Sequence, residues 1–140
     1  MSLLIKLHIV AVSFWLGIVA VESVLERTRA GGREIAFYVA RSHFLIDRWI
    51  EIPTFLVVVA TGALLLDPAR LSGWYLLKVV CGLVAVASNI FCAYFVVRRK
   101  QAAEAGDLDA VKRQAWAIDL SGLAIPVAMV ALFIGLSGLI

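Results

Sequence analysis

The chain is 140 residues long, 63% hydrophobic and only 16% charged, where ordinary soluble domains run near half apolar and a quarter charged. Its mean hydropathy is +0.98, and about 20 apolar residues suffice to cross a hydrocarbon core. Four spans with short connections therefore use nearly the whole chain, which excludes a soluble catalytic domain, a nucleotide-binding fold or a nucleic-acid module. The net charge of +3, from 13 Lys+Arg against 10 Asp+Glu, does not require an acidic partner, since basic residues gather in cytoplasmic loops of membrane proteins.

The first apolar run is Leu3 to Val21, interrupted by Lys6, His8 and Ser13. A secretory signal peptide competes for this run, because Gly17-Ile18-Val19-Ala20 ends on a small residue as a cleavage site does. A retained first span is the expectation. The second run is Ile52 to Leu66, with Arg48 and Glu51 at its start. Its helix is expected to begin near Glu34, because no proline or glycine interrupts Ile35 to Ile50, and Pro53 is expected to kink it. The third run is Val79 to Val97 and the fourth Leu120 to Ile140. Ala30-Gly31-Gly32, then Asp67 to Gly73, then Gln101 to Asp109 connect them, each with the glycine or proline that loops favour. The expected fold is all-α, one four-helix transmembrane domain over 1–140 with helices at about 3–29, 34–66, 73–100 and 109–139.

Basic residues set the expected orientation. Arg27, Arg29, Arg33 and Arg41 flank the first connection, and Arg98, Arg99, Lys100, Lys112 and Arg113 flank the third. The second offers only Arg70, and no charged side chain follows Asp119. The positive-inside rule then puts loops one and three in the cytoplasm and both termini outside, an up-down-up-down bundle in a bacterial-type inner membrane. Cys81 and Cys92 both fall on helix three, roughly 16 Å apart along it, too far for a mutual disulfide.

Charges within membrane helices are costly and so are informative. Folding the helices about their loops puts Trp15, Asp47, Arg48, Asn89 and Asp119 at one depth, with Glu51 a turn further out. Glu22 and His43 lie one to two turns nearer the cytoplasm, with Glu26 beyond them. At about 100° per residue, His8, Trp15 and Glu22 share one face, and His43, Asp47, Glu51 and Thr54 another. Lys78, Gly82, Ala85, Asn89 and Ala93 align on helix three, and Asp119, Gly122 and Pro126 on helix four. The stripes are expected to enclose a polar interior. One reading of it is a structural ion-pair or proton network of Asp47, Arg48, Glu51, Asn89 and Asp119, with Arg41 paired to Glu22. Another is a metal site built from Glu22, His43, Asp47, Glu51 and Asp119, although the Glu-x-x-His pairs of di-metal bundles do not occur.

His8 and Lys78 form a second expected layer, at a common depth near the outer end. Either snorkelling and interfacial hydrogen bonding or a haem pocket with His8 as axial ligand accounts for them. His8 and His43 differ by roughly 16 Å in depth, too much for two trans ligands of one iron.

Lys6-Leu7-His8-Ile9-Val10-Ala11-Val12 with Trp15-Leu16-Gly17 resembles the first helix of HemJ-type protoporphyrinogen oxidases and of small membrane proteins related to the copper-resistance protein CopD. Gly73-Trp74-Tyr75-Leu76-Leu77-Lys78 resembles the start of their third helix, and Thr61-Gly62-Ala63-Leu64-Leu65 the end of their second. The resemblance implies b-type haem held by His8, with Lys78 as second ligand or propionate partner and Trp15 beside the cofactor. Glu22, Asp47, Arg48, Glu51 and Asp119 depart from that pattern. The leading expectation is a small haem-binding redox protein, a membrane oxidoreductase if it is an enzyme, exchanging electrons with quinone or a porphyrin-like substrate. The alternatives are a proton- or metal-ion-conducting protein using the acidic cluster, or a non-catalytic membrane subunit. Beyond the lipid bilayer, a homo-oligomeric or membrane-complex partner would pack against small residues such as Gly135 and Gly138.

Overall fold

The computed structural model describes residues 2–138. The chain forms four rods. The first is α1 (Leu3–Arg27), tightened at its end into a 3-10 turn, Thr28–Gly31. The second is α2 (Arg33–Ile46), a π-helical turn (Asp47–Glu51) and α3 (Ile52–Leu64) in unbroken succession. The third is α4 (Gly73–Glu104), and the fourth is α5 (Leu108–Ser121) followed by α6 (Ala124–Leu136). The expected end of helix four, at 139, lies outside the described residues.

Three stretches, Leu3–Gly31, Gly73–Glu104 and Leu108–Leu136, are long and apolar enough to cross a membrane. Even the 29-residue ones reach about 44 Å, more than the roughly 30 Å hydrocarbon core. The large apolar side chains point away from the bundle: Val10, Phe14, Val21 and Val24 on α1, Leu83 and Ile90 on α4, Met129 and Phe133 on α6. The interior holds many alanines and a group of charged side chains, with a few large apolar ones such as Trp15, Phe37 and Phe55. An apolar exterior around a polar centre is the arrangement that lipid favours and water opposes.

Two irregularities shape that centre. Pro53 has no N–H for the carbonyl of Trp49, and its ring would crowd the preceding turn. The helix widens just ahead of it, where the Ile52 N–H donates to Asp47 O, five residues back. In a regular helix, four-residue steps drift about 40° each; with the wide turn, His43, Asp47 and Glu51 are all buried. In the fourth rod, Pro126 likewise cannot bond to Gly122. The Leu123 N–H donates to Leu120 O at 3.1 Å and the Ile125 N–H to Gly122 O at 3.1 Å, so the chain breaks between α5 and α6.

The ends are specified locally. Asp107 accepts from the Ala110 N–H at 2.8 Å, starting α5, and Gly106 takes the left-handed φ of 73° that the three-residue turn after α4 requires. Arg33 Nη2 donates to Gly106 O at 3.0 Å, which ties the first connection to the third. Helix three runs on to Glu104 rather than stopping near 100, because Gln101-Ala102-Ala103-Glu104 are good helix formers and Ala103 packs against Ala36, Phe37 and Ala40.

Candidate functional site

Two small apolar clusters bracket the polar centre. Ala36, Phe37, Ala40, Ala103 and Val111 pack below it, and Trp15, Phe55, Ala85 and Ala128 above it. Between Ala40 and Phe55 the inward stripe of the second rod is His43, Asp47 and Glu51, and Glu22 and Glu26 of α1 face it. All five side chains are buried. Ligand atoms of Glu22, His43, Asp47 and Glu51 lie within 4.8 Å of one another.

His43 organises the group. Its Nδ1 lies 2.5 Å from Glu26 Oε1, and its Nε2 lies 3.2 Å from Asp47 Oδ1 and 3.8 Å from Glu22 Oε2. Arg99 is 1% exposed and grips the Glu26 carboxylate with both ends of its fork, at 2.6 and 2.5 Å. Held so, Glu26 is an ionised acceptor, so the Nδ1 proton of His43 points at it. The 3.1 Å approach of Arg99 Nη2 to Nδ1 is then a contact rather than a hydrogen bond. The free edge of the imidazole, Nε2, faces two carboxylate oxygens that only a cation can reconcile: its own proton or a metal ion.

The other carboxylates are held from further off. The indole Nε1–H of Trp15 donates to Glu51 Oε1 at 3.0 Å, and Asn89 Nδ2 donates to the same oxygen. Glu22 Oε1 has no hydrogen-bond partner among the described residues, and Asp47 Oδ1 has none beyond the 3.2 Å approach of His43 Nε2. Four acidic side chains thus face one buried guanidinium, and a low-dielectric interior balances such a group only with protons or a bound cation.

A cavity of about 650 Å³ reaches the cluster between α1, α4 and the α5–α6 break. Glu22, His43, Glu51 and Asn89 lie on its inner wall, and Arg27, Arg29 and Asp119 line it toward the first connection. Arg29 donates to Asp119 at 2.8 and 2.5 Å and to Glu26 at 3.0 Å, linking the cavity's exposed rim to its interior.

Several expected members stand elsewhere. Arg48 is exposed and lies over the Trp49 ring, 5.5 Å from its centre, so it neutralises none of Asp47, Glu51 or Asp119. One residue past Asp47, it is turned about 100° from the inward stripe. Arg41 reaches the Ala103 carbonyl at 3.5 Å rather than Glu22. Asp119 is outside the cluster, its side chain 53% exposed and paired with Arg29. Trp15 serves Glu51, not a position beside His8. The members absent from the expected site are Arg99, grouped with the basic residues of a loop, and Glu26, placed beyond it. The inward spacing of Ala85, Asn89, Val96, Arg99 and Ala103 on α4 is the signal that would have found Arg99.

The outer layer is separate. His8 Nδ1 lies 2.8 Å from Thr61 Oγ1, whose hydroxyl donates to Val57 O at 2.6 Å. Lys78 lies against Gly135, where an added Cβ would meet Nζ at 3.3 Å. Cys81 and Cys92 are free and half-buried. Comparison with family models, with curated proteins and with solved structures gives no match.

Proposed function

We propose that the protein is a small multi-pass membrane protein that binds a divalent transition-metal ion at Glu22, His43, Asp47 and Glu51 and conducts it through the cavity beside them. The carrying observation is the convergence of those four ligand atoms within 4.8 Å, with Glu22 Oε1 left without a hydrogen-bond partner among the described residues and Asp47 Oδ1 facing only His43 Nε2. Ligands about 2.1 Å from a tetrahedral ion stand about 3.4 Å apart, so side-chain movement of about 1 Å closes the set. The Glu26 carboxylate on His43 Nδ1 supplies the outer hydrogen bond that fixes the tautomer of a metal-bound histidine. Three carboxylates and one imidazole suit Mn²⁺, Fe²⁺ or Zn²⁺ better than a thiolate-seeking ion. With no metal, the same groups hold protons, and proton conduction is the limiting case of this reading.

In this account the chain is an up-down-up-down bundle in a bacterial-type inner membrane. Loops one and three are cytoplasmic, where Arg27, Arg29, Arg33, Arg98 and Lys112 gather. The cavity then opens toward the cytoplasm. The test is metal binding to the purified protein, measured by isothermal titration with Mn²⁺ and Zn²⁺. Stoichiometric binding that disappears in Glu22→Gln and His43→Gln supports the reading, and identical binding by the variants overturns it.

A second reading, membership of a HemJ/CopD-like family with b-type haem, draws on His8. Thr61 Oγ donates its own proton to Val57 O and accepts from His8 Nδ1–H, which leaves Nε2 with a free lone pair for an axial bond. Lys78 is the neighbouring group for a second ligand or a propionate, and quinone or a porphyrin-like compound the redox partner. A reduced-minus-oxidised spectrum decides: a Soret band altered in His8→Ala supports haem, and no band in wild type removes it.

A further inference from the structure

We propose that the groove between the first connection and α5 binds the phosphate of an anionic phospholipid headgroup. It is a cavity of about 400 Å³, sharing with the acidic site only the Arg29–Ala30 corner and Asp119. Three cations from three elements line it: Arg29 from the 3-10 turn, Arg33 at the start of α2, and Lys112 of α5. Its one acid, Asp119, is already held by both ends of the Arg29 fork. Arg33 and Lys112 remain as uncompensated positive charge. Arg33 is fixed in place by its bond to Gly106 O and by the Phe37 ring, 5.2 Å from its guanidinium carbon. Lys112 is exposed and makes no ion pair among the described residues.

The backbone adds to this field. Gly32, which lines the groove, precedes the 14-residue α2 with a φ of 123°, and no side chain caps the leading N–H groups of that helix. Their dipoles have the same sign as the guanidinium.

The rest of the groove distinguishes a lipid from a free anion. Its floor is apolar, made by buried Ala36, Val111 and Ala115. It continues onto Trp116, 58% exposed and placed as an interfacial aromatic would be. Inorganic phosphate would use the cationic rim and leave that floor wet, whereas a phospholipid sets its phosphate on the rim and its glycerol and first methylenes on the floor. Basic pockets at the cytoplasmic ends of membrane helices take anionic headgroups in this way. The inference does not depend on the metal reading.

The experiment uses the full chain in maltoside micelles, followed by thermal unfolding during titration with phosphatidylglycerol, phosphatidylcholine or inorganic phosphate. Phosphatidylglycerol is expected to raise Tm saturably, and the other two are not. Each basic side chain near a headgroup contributes about 1 kcal/mol, so Arg33→Gln with Lys112→Gln is expected to weaken phosphatidylglycerol binding about 30-fold. Arg98→Gln with Arg113→Gln removes the same charge at the same end of the bundle and is expected to change binding by less than about twofold. Equal losses in the two double variants mean diffuse attraction and overturn the proposal. So does an equal shift with phosphatidylcholine, or a full shift with inorganic phosphate alone. If the Arg33 variant does not fold, Lys112→Gln alone is expected to cost about fivefold, and unchanged affinity there is equally decisive against the site.

Discussion

Arg99→Met removes the two bonds of 2.6 and 2.5 Å that hold Glu26 while leaving that carboxylate buried. Breaking a buried ion pair from one side costs about 3–5 kcal/mol, because the surviving charge is left without its partner. Glu26 keeps the His43 Nδ1–H at 2.5 Å and Arg29 Nη1 at 3.0 Å, which places the expected loss at the lower end, about 3 kcal/mol. Adding Glu26→Gln removes the stranded charge, so the double variant should be more stable than Arg99→Met alone, with a coupling of about 2 kcal/mol. The assay is reversible unfolding in mixed maltoside and dodecyl sulfate micelles, completed as a double-mutant cycle. A second readout separates positioning from mere stability. Glu26→Gln takes the orienting carboxylate from His43, so metal affinity should fall 10- to 100-fold, as for other outer-shell partners of metal-bound histidines, whereas Arg99→Met leaves that bond and should lower affinity less. An Arg99→Met protein within about 0.5 kcal/mol of wild type, or effects that simply add in the double variant, would refute this reasoning.

Two further outcomes follow from the same geometry. Asp119→Asn breaks only a partly exposed pair with Arg29, so it should change stability by less than about 1 kcal/mol; a loss above about 3 kcal/mol in the same unfolding assay would return Asp119 to the buried network. Thr61→Val keeps the side-chain shape but removes the acceptor of His8 Nδ1–H. It should destabilise by about 1–2 kcal/mol without altering metal affinity, since His8 is not in the acidic cluster; a parallel loss of metal affinity would contradict the separation of the two layers.

Much of the fold is legible in the sequence because lipid imposes one strong pattern. Apolar runs of sufficient length place three of the rods, and the absence of proline or glycine from Ile35 to Ile50 places the start of the second within a residue of Arg33. Part of the site is legible too. Four-residue spacing puts His43, Asp47 and Glu51 on one face, and all three are buried together with Glu22. The misplacements of Arg99 and Arg48 share a cause: neither depth nor sequence neighbours fix which face of a helix a charged residue occupies. Arg99 stands between Arg98 and Lys100 and looks like part of a loop, yet it continues the inward stripe of α4 from Val96. Arg48 shares the depth of Asp47 but not its face. Asp119 directly follows the buried pair Ala117 and Ile118 and turns away from them. The π-helical turn and the α5–α6 break arise where Pro53 and Pro126 lack a donor, and only a kink at Pro53 can be anticipated from sequence.

On the proposed reading, the buried carboxylates and His43 bind one metal ion together. Isothermal titration of the purified protein with Mn²⁺ or Zn²⁺, at two pH values and beside Glu22→Gln and His43→Gln, tests it most directly. The account predicts one ion per chain, bound more weakly as pH falls because protons compete for the same ligands, and lost in both variants. No binding by the wild-type protein, or binding that both variants retain, would contradict it.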